Sequence, residues 1–216
     1  MAQNNTRTPA QELREIFLNG LLYKNPVLVG AIGLCPVVAA GTTLKNGLCL
    51  SIILFVLMIP TCLLFSLMGD KLPAFLRPPA VLLLSGVLYI PASLLCEAWL
   101  PGTTALLGIY APLMIANAII SSRAIGFSVK HIYYASLIDS LSCALGFALV
   151  IIAASCIREL AIYGAVWNTP PVLASGTDVT KYVFVGFIVL GFFSAIAQGA
   201  RNHRDNRRQK KGETRE

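Results

Sequence analysis

The chain has 216 residues, of which 56% are hydrophobic and only 12% charged, and its mean hydropathy is +0.72. That is more apolar surface than one soluble core of this length buries, so the composition excludes an ordinary soluble domain and indicates an integral membrane protein. The formal charge of +7 does not argue for nucleic acid, because the basic residues gather at the two ends and in short connections, where they anchor a membrane protein on its cytoplasmic side.

The first 24 residues are polar and amphipathic, without the charged cap and apolar run of a cleavable secretory signal. Within them Thr8-Pro9-Ala10-Gln11 combines a capping residue, a proline at the first helical position and a glutamine that closes the box, so a helix is expected to start there. Leu13, Ile16, Phe17 and Leu21 then share one face. Such a helix lies on the inner leaflet, as an anchor or as a docking surface for a partner subunit.

A requirement for about 20 apolar residues per crossing places six spans at 25–43, 47–68, 79–99, 103–121, 132–157 and 180–199. The expected organisation is therefore an N-terminal cytoplasmic segment at 1–24, a six-helix membrane domain at 25–199 and a basic tail at 200–216. An even number of crossings puts both termini on one side. The tail carries Arg201, Arg204, Arg207, Arg208, Lys210, Lys211 and Arg215, a cluster that prefers the cytoplasm. With the tail inside, only Lys45, Arg158 and Lys181 fall on the outer face.

Spans one to three and four to six form two triplets, and an odd number of crossings per repeat makes the second copy enter from the opposite face. The expected fold is thus all-α, two inverted three-helix repeats with broken helices one and four. The first break is at Gly33-Leu34-Cys35-Pro36, after Asn25-Pro26 has started the segment; Pro36 removes a backbone donor and Gly33 permits close backbone approach. The second runs from Gly108-Ile109-Tyr110-Ala111-Pro112 to Asn117-Ala118, an amide in an apolar run. Irregular backbone at membrane depth is tolerated where protein or a cavity covers it, so paired breaks indicate a buried site. Plain proline kinks and close packing by small residues are the other reading.

Asp139, about two turns into the fifth span, is a candidate to guide a coupling cation or else a structural hydrogen-bonding group. Glu97, beside Trp99, reads as an interface residue, and Arg158-Glu159 as a loop-ordering pair before an outer loop containing Trp167 and Pro170-Pro171. Cys49, Cys62, Cys96, Cys143 and Cys156 lack CxxC spacing and read as small core hydrophobes, with no disulfide framework expected of residues inside spans. Cys143 and Cys156 are separated by 13 residues, which is roughly 20 Å along one helix. No P-loop, GxGxxG or HExxH is present, and the histidines are His131 and His203 in cytoplasmic segments, so this chain is not expected to bind flavin or nicotinamide itself.

The run from Glu12-Leu13 to Ile16-Phe17-Leu18-Asn19-Gly20-Leu21, then Asn25-Pro26-Val27-Leu28-Val29, Gly33-Leu34-Cys35-Pro36 and Asn46-Gly47-Leu48, resembles the RnfE and NqrD branch of membrane subunits. The likeness continues through Gly108-Ile109-Tyr110, Pro112-Leu113, Asn117, Arg123-Ala124, Asp139, Arg158-Glu159-Leu160 and Gly164. The resemblance implies a non-catalytic subunit of a redox-driven, sodium- or proton-translocating oxidoreductase in a bacterial or archaeal inner membrane. It also implies pairing with a paralogous six-helix subunit similar to RnfA and NqrE, with an iron–sulfur centre held between the two by one cysteine from each broken helix.

In that picture Cys35 is a metal ligand, supported by Gly33, Pro36 and Asn117, and a second cysteine is expected directly after Asn117, where this chain has Ala118. A methyl group cannot replace a thiolate. The departure leaves a cluster with a solvent or non-cysteine ligand, a mononuclear iron, or a scaffold that has lost the cluster. A secondary transporter, binding a small solute by the dipoles of the same broken helices, is the alternative from another class.

Overall fold

The computed structural model describes residues 28, 30, 32–68, 71–163 and 183–213. The amphipathic N-terminal segment, the Asn25-Pro26 start of the first span, Gly164 and the loop with Trp167 and Pro170-Pro171 lie outside the described residues. Among the described residues every regular element is helical.

In chain order the helices are α1 (Leu34–Ala40), α2 (Leu44–Met68), α3 (Arg77–Trp99), α4 (Thr103–Leu107), α5 (Tyr110–Leu113), α6 (Ala118–Gly126), α7 (Tyr133–Tyr163) and α8 (Val183–Glu213). Short 3-10 turns at Ala74–Leu76, Met114–Ala116 and Ser128–Lys130 precede α3, α6 and α7. Three stretches, Leu44–Met68, Ala74–Trp99 and Tyr133–Leu160, are long and apolar enough to cross a membrane, and Phe184–Gly199 is a shorter apolar helix. The regions expected as spans one and four supply no helix of that length among the described residues, because they are broken into the pieces α1 and α4 to α6.

Helices α2 and α7 form the centre. Over half of each apolar stretch is buried, against less than a quarter of Ala74–Trp99, and no polar stripe interrupts α2, as expected of a helix surrounded by others. The pair is antiparallel. Leu44 N–H donates to Glu159 Oε2 at 2.6 Å, and at the other end of α2 the Ser136 hydroxyl lies 3.1 Å from Cys62 O and 2.7 Å from Ser128 Oγ. Between these ends Gly47 lets the backbones approach, since a Cβ there would stand 2.7 Å from Ser155 Oγ.

Helix α3 packs on α2 and presents Leu83, Val87, Ile90 and Leu94 outward. Helix α8 packs antiparallel on the first segment: Ser194 Oγ donates to Leu28 O at 2.7 Å, and Gly186 brings its backbone against Val38 O, 3.1 Å from the position of an added Cβ.

Several expected boundaries shift. Helix α2 starts at Leu44 and α7 runs to Tyr163, so Arg158 sits inside a helix and not at the mouth of a loop. Helix α8 runs unbroken from Val183 to Glu213, carrying the basic tail as a continuation of the apolar helix. One expectation is overturned outright: Cys49 and Cys96 form a disulfide between α2 and α3. Both lie close to the ends of these helices that share one side of the bundle, where antiparallel neighbours bring the two thiols to equal depth.

Candidate functional site

The two helix breaks touch. Gly33 holds φ 73° and ψ 27°, the left-handed conformation that favours glycine. A Cβ on Gly33 would fall 2.8 Å from Asn117 Oδ1 and 2.7 Å from Ile119 Cδ1. Only a residue without a side chain fits both the dihedral angles and the space.

On the other side of this contact Asn117 is extended, at φ −66° and ψ 124°, and starts α6 as its N-cap. Its Oδ1 accepts from Ile119 N–H at 3.0 Å, its Nδ2 is 3.6 Å from Met114 Sδ, and it is 5% exposed. The amide is thus consumed in ending one piece of helix and beginning the next, which is the usual chemistry of asparagine at an N-cap. A further break lies upstream at Gly108, with φ 52°.

Pro36 does something different from the kink expected of it. It is the third residue of α1, where the amide has no intrahelical acceptor and a proline costs nothing. The break belongs to Gly33, and Pro36 sits in the first turn of the new helix.

Cys35 and Ala118 are both exposed, each in the first turn of its half-helix. Counted from the caps Gly33 and Asn117, Cys35 is the second helical residue and Ala118 the first, so the two positions are offset by one and are not strict counterparts. Among the described residues no group of three or more His, Cys, Asp or Glu side chains could hold a metal ion. This chain brings one thiol to the surface beside the break and a methyl group where a second would stand. That donor set does not fit a four-thiolate cluster with two ligands from each subunit.

Asp139 lies apart from the break. It is 4% exposed; Oδ1 accepts from Arg123 Nη1 at 3.3 Å, and Oδ2 is buried with no partner among the described residues. Arg123 occupies the last turn of α6, so the half-helix whose start is capped by Asn117 is tied at its end to Asp139. Six residues separate Asn117 from Arg123, about 9 Å along a helix. Cys143 Sγ is 4.0 Å from the same Oδ1.

Glu97, exposed near the end of α3, orders the turn that follows. Its Oε1 accepts from Gly102 N–H at 2.7 Å and its Oε2 from the Thr104 hydroxyl, which fixes the turn between α3 and α4. Arg158 departs furthest from its expected role. Rather than the loop that follows it, it orders the link after α1: it is 1% exposed, with Nη1 donating to Val38 O at 2.6 Å and to Gly41 O at 3.3 Å. The signal for this lies in the apolar run, which continues past Arg158 through Leu160, Ala161 and Ile162.

The apolar helices and the two facing breaks define an all-helical membrane protein whose distinctive site is a junction of half-helices. A family model described as "Rnf-Nqr subunit, membrane protein" matches residues 13–197. The chain belongs to this family of Rnf-Nqr membrane subunits. It is 36% identical over 155 residues, 72% of this chain and 67% of the relative, to the E component of the ion-translocating oxidoreductase complex of Shewanella oneidensis. The proteins of the same name from Shewanella sp. strain ANA-3 and Shewanella putrefaciens are each 34% identical over the same shares.

Proposed function

We propose that this chain is a membrane subunit of an ion-translocating oxidoreductase of the Rnf/Nqr type, and that it forms, with a paralogous subunit, the mid-membrane passage for electrons and the coupled sodium ion or proton. The observation that carries the reading is the direct contact of the two helix breaks at Gly33 and Asn117, with Cys35 left exposed beside it. Two broken helices meeting start to start, beside an antiparallel α2–α7 pair, is the arrangement expected of two inverted three-helix repeats. On this reading the chain crosses a bacterial inner membrane six times, with both termini cytoplasmic. The collection of Lys71, Arg77 and Arg123 at the end of the bundle opposite Lys45 supports that orientation.

Within the pair, Cys35 is the one thiolate this chain contributes to an iron centre, and the remaining donors belong to the partner or to solvent. The chain's own residues set its position: Gly33 and Asn117 fix the break, and Pro36 is accommodated in the first turn of the half-helix that presents the thiol. Asp139, with one carboxylate oxygen buried and unpartnered, is the group to contact a coupling cation. Ala118 favours a second reading, a subunit that keeps the scaffold and carries no iron.

Iron content and electron paramagnetic resonance of the copurified complex, wild type against Cys35→Ala, separate the two. Loss of an iron signal with the thiol supports ligation by Cys35. A wild-type complex without that iron removes the electron-carrying role and leaves the scaffold. A chain that purifies without flavin-bearing partners is a transporter, and the reading fails.

A further inference from the structure

Arg158 is fully buried at the junction of α1, α7 and α8, and it acts on the end of the broken helix opposite to Cys35. Its Nη1 donates to Val38 O at 2.6 Å and to Gly41 O at 3.3 Å. These carbonyls lie in the last turn and at the C-cap of α1, where a helix has no amides left to satisfy them and carries partial negative charge. Helix α8 closes over the contact, because Gly186 has no side chain; a Cβ there would be 3.2 Å from Nη1 and 3.1 Å from Val38 O. The next residue, Glu159, takes the Leu44 N–H at 2.6 Å, at the start of α2. Consecutive residues of α7 thus grip both sides of the short link at 41–43, a cation on the carbonyl end and a carboxylate on the amide end, each of the sign the helix dipole favours. Only one nitrogen of the guanidinium makes the contact: Nε and Nη2 are buried with no partner among the described residues.

We propose that Arg158 is a positioning residue that holds α1 as a tethered cation. Its guanidinium fills the carbonyl cradle at Val38 and Gly41, the kind of half-helix end at which transporters coordinate a mobile cation. It fixes the depth of the helix that carries Cys35. It also closes this cradle to a coupling ion, which, in the pump reading on which this part rests, leaves the Asp139 end of α7 as the place for the ion.

The test is hydrogen–deuterium exchange on the detergent-solubilised complex, followed in peptides covering α1 and, as an internal reference, the start of α7 from Tyr133 to Asp139. Arg158→Ala is expected to speed exchange in α1 about tenfold or more, the factor carried by one charge-assisted hydrogen bond, and to leave the reference peptide unchanged. Because a single nitrogen makes the contact, Arg158→Lys and millimolar guanidinium added to Arg158→Ala should each restore protection. Exchange in α1 within about twofold of wild type overturns the proposal, as does faster exchange in both peptides without rescue, which marks a general structural role. Should Arg158→Ala fail to insert, Gly186→Ala keeps the charge and crowds Nη1 and Val38 O; faster exchange confined to α1 supports the clamp, and an unchanged α1 overturns it. Exchange is read without turnover, so a wild-type complex lacking iron or ion transport would sink the pump reading and leave this result standing.

Discussion

Gly33→Ala is the sharpest perturbation of the junction, and Gly102 supplies its control. Both glycines occupy the left-handed region, Gly33 at φ 73° and Gly102 at φ 77°, so an added Cβ strains the two backbones alike, by about 1–2 kcal/mol. They differ in space. A Cβ on Gly102 meets nothing within 4 Å, whereas on Gly33 it meets Asn117 Oδ1 and two carbons of Ile119 at 2.7–2.8 Å. Overpacking of this kind costs about 1–3 kcal/mol more, so Gly33→Ala should destabilise by roughly 2–5 kcal/mol against 1–2 for Gly102→Ala. The assay is reversible unfolding in mixed micelles of mild detergent and dodecyl sulfate, followed by far-ultraviolet circular dichroism. Ile119→Val removes the Cδ1 atom, the nearest of the three contacts, and should recover part of the loss in a double-mutant cycle. Equal losses for the two glycine variants, within about 0.5 kcal/mol, would refute the claim that the breaks are pressed together.

Asn117→Ala removes the cap of α6 and should cost about 0.5–2 kcal/mol, with Asn117→Asp retaining most of it, measured by the same unfolding. Arg123→Ala leaves the Asp139 carboxylate buried without its cation and should cost about 3 kcal/mol, more than Asp139→Asn, while the double variant costs less than the sum of the two; additive losses would mean the pair is not coupled. In detergent, a bulky maleimide should modify exposed Cys35 first and buried Cys62 and Cys143 last, with Cys49 and Cys96 reacting only after reduction; labelling of all six cysteines in unreduced, unfolded protein would rule out the disulfide. Ala118→Cys places a thiol on an exposed first-turn position at a stability cost of about 0.7 kcal/mol at most, and it should raise the iron content of the complex or alter its resonance; no change in either would mean that no metal is held beside this position.

The sequence located the breaks because glycine, proline and asparagine cluster there, whereas the single prolines Pro60 and Pro91 sit inside continuous helices. It could not show that the breaks touch. Contact depends on how α1 and α6 are rotated and tilted, and periodicity carries little of that when a helix such as α2 is apolar all round. Pro36 illustrates the limit: the same residue breaks a helix from inside or begins one, and the dihedral angles at Gly33 decide which. The Cys49–Cys96 disulfide was hidden for a related reason. Depth from the helix ends is readable in a sequence, but the face of the helix that each thiol occupies is not. An arginine near the end of an apolar run, such as Arg158, invites a boundary, when its burial against Val38 and Gly41 removes the reason to put one there.

The architecture of the junction and the thiol beside it are separable in this chain. Gly33, Asn117 and Arg158 are each tied to the backbone of a broken helix: Gly33 through its dihedral angles and the crowding at Ile119, Asn117 through its cap, Arg158 through two carbonyls. Replacing any one of them disturbs the fold itself. Cys35 and Ala118 are exposed on the first turns of the helices those residues hold, so a cysteine can come or go at either position while the junction persists. A chain can therefore keep every structural mark of an electron-carrying subunit after losing a ligand.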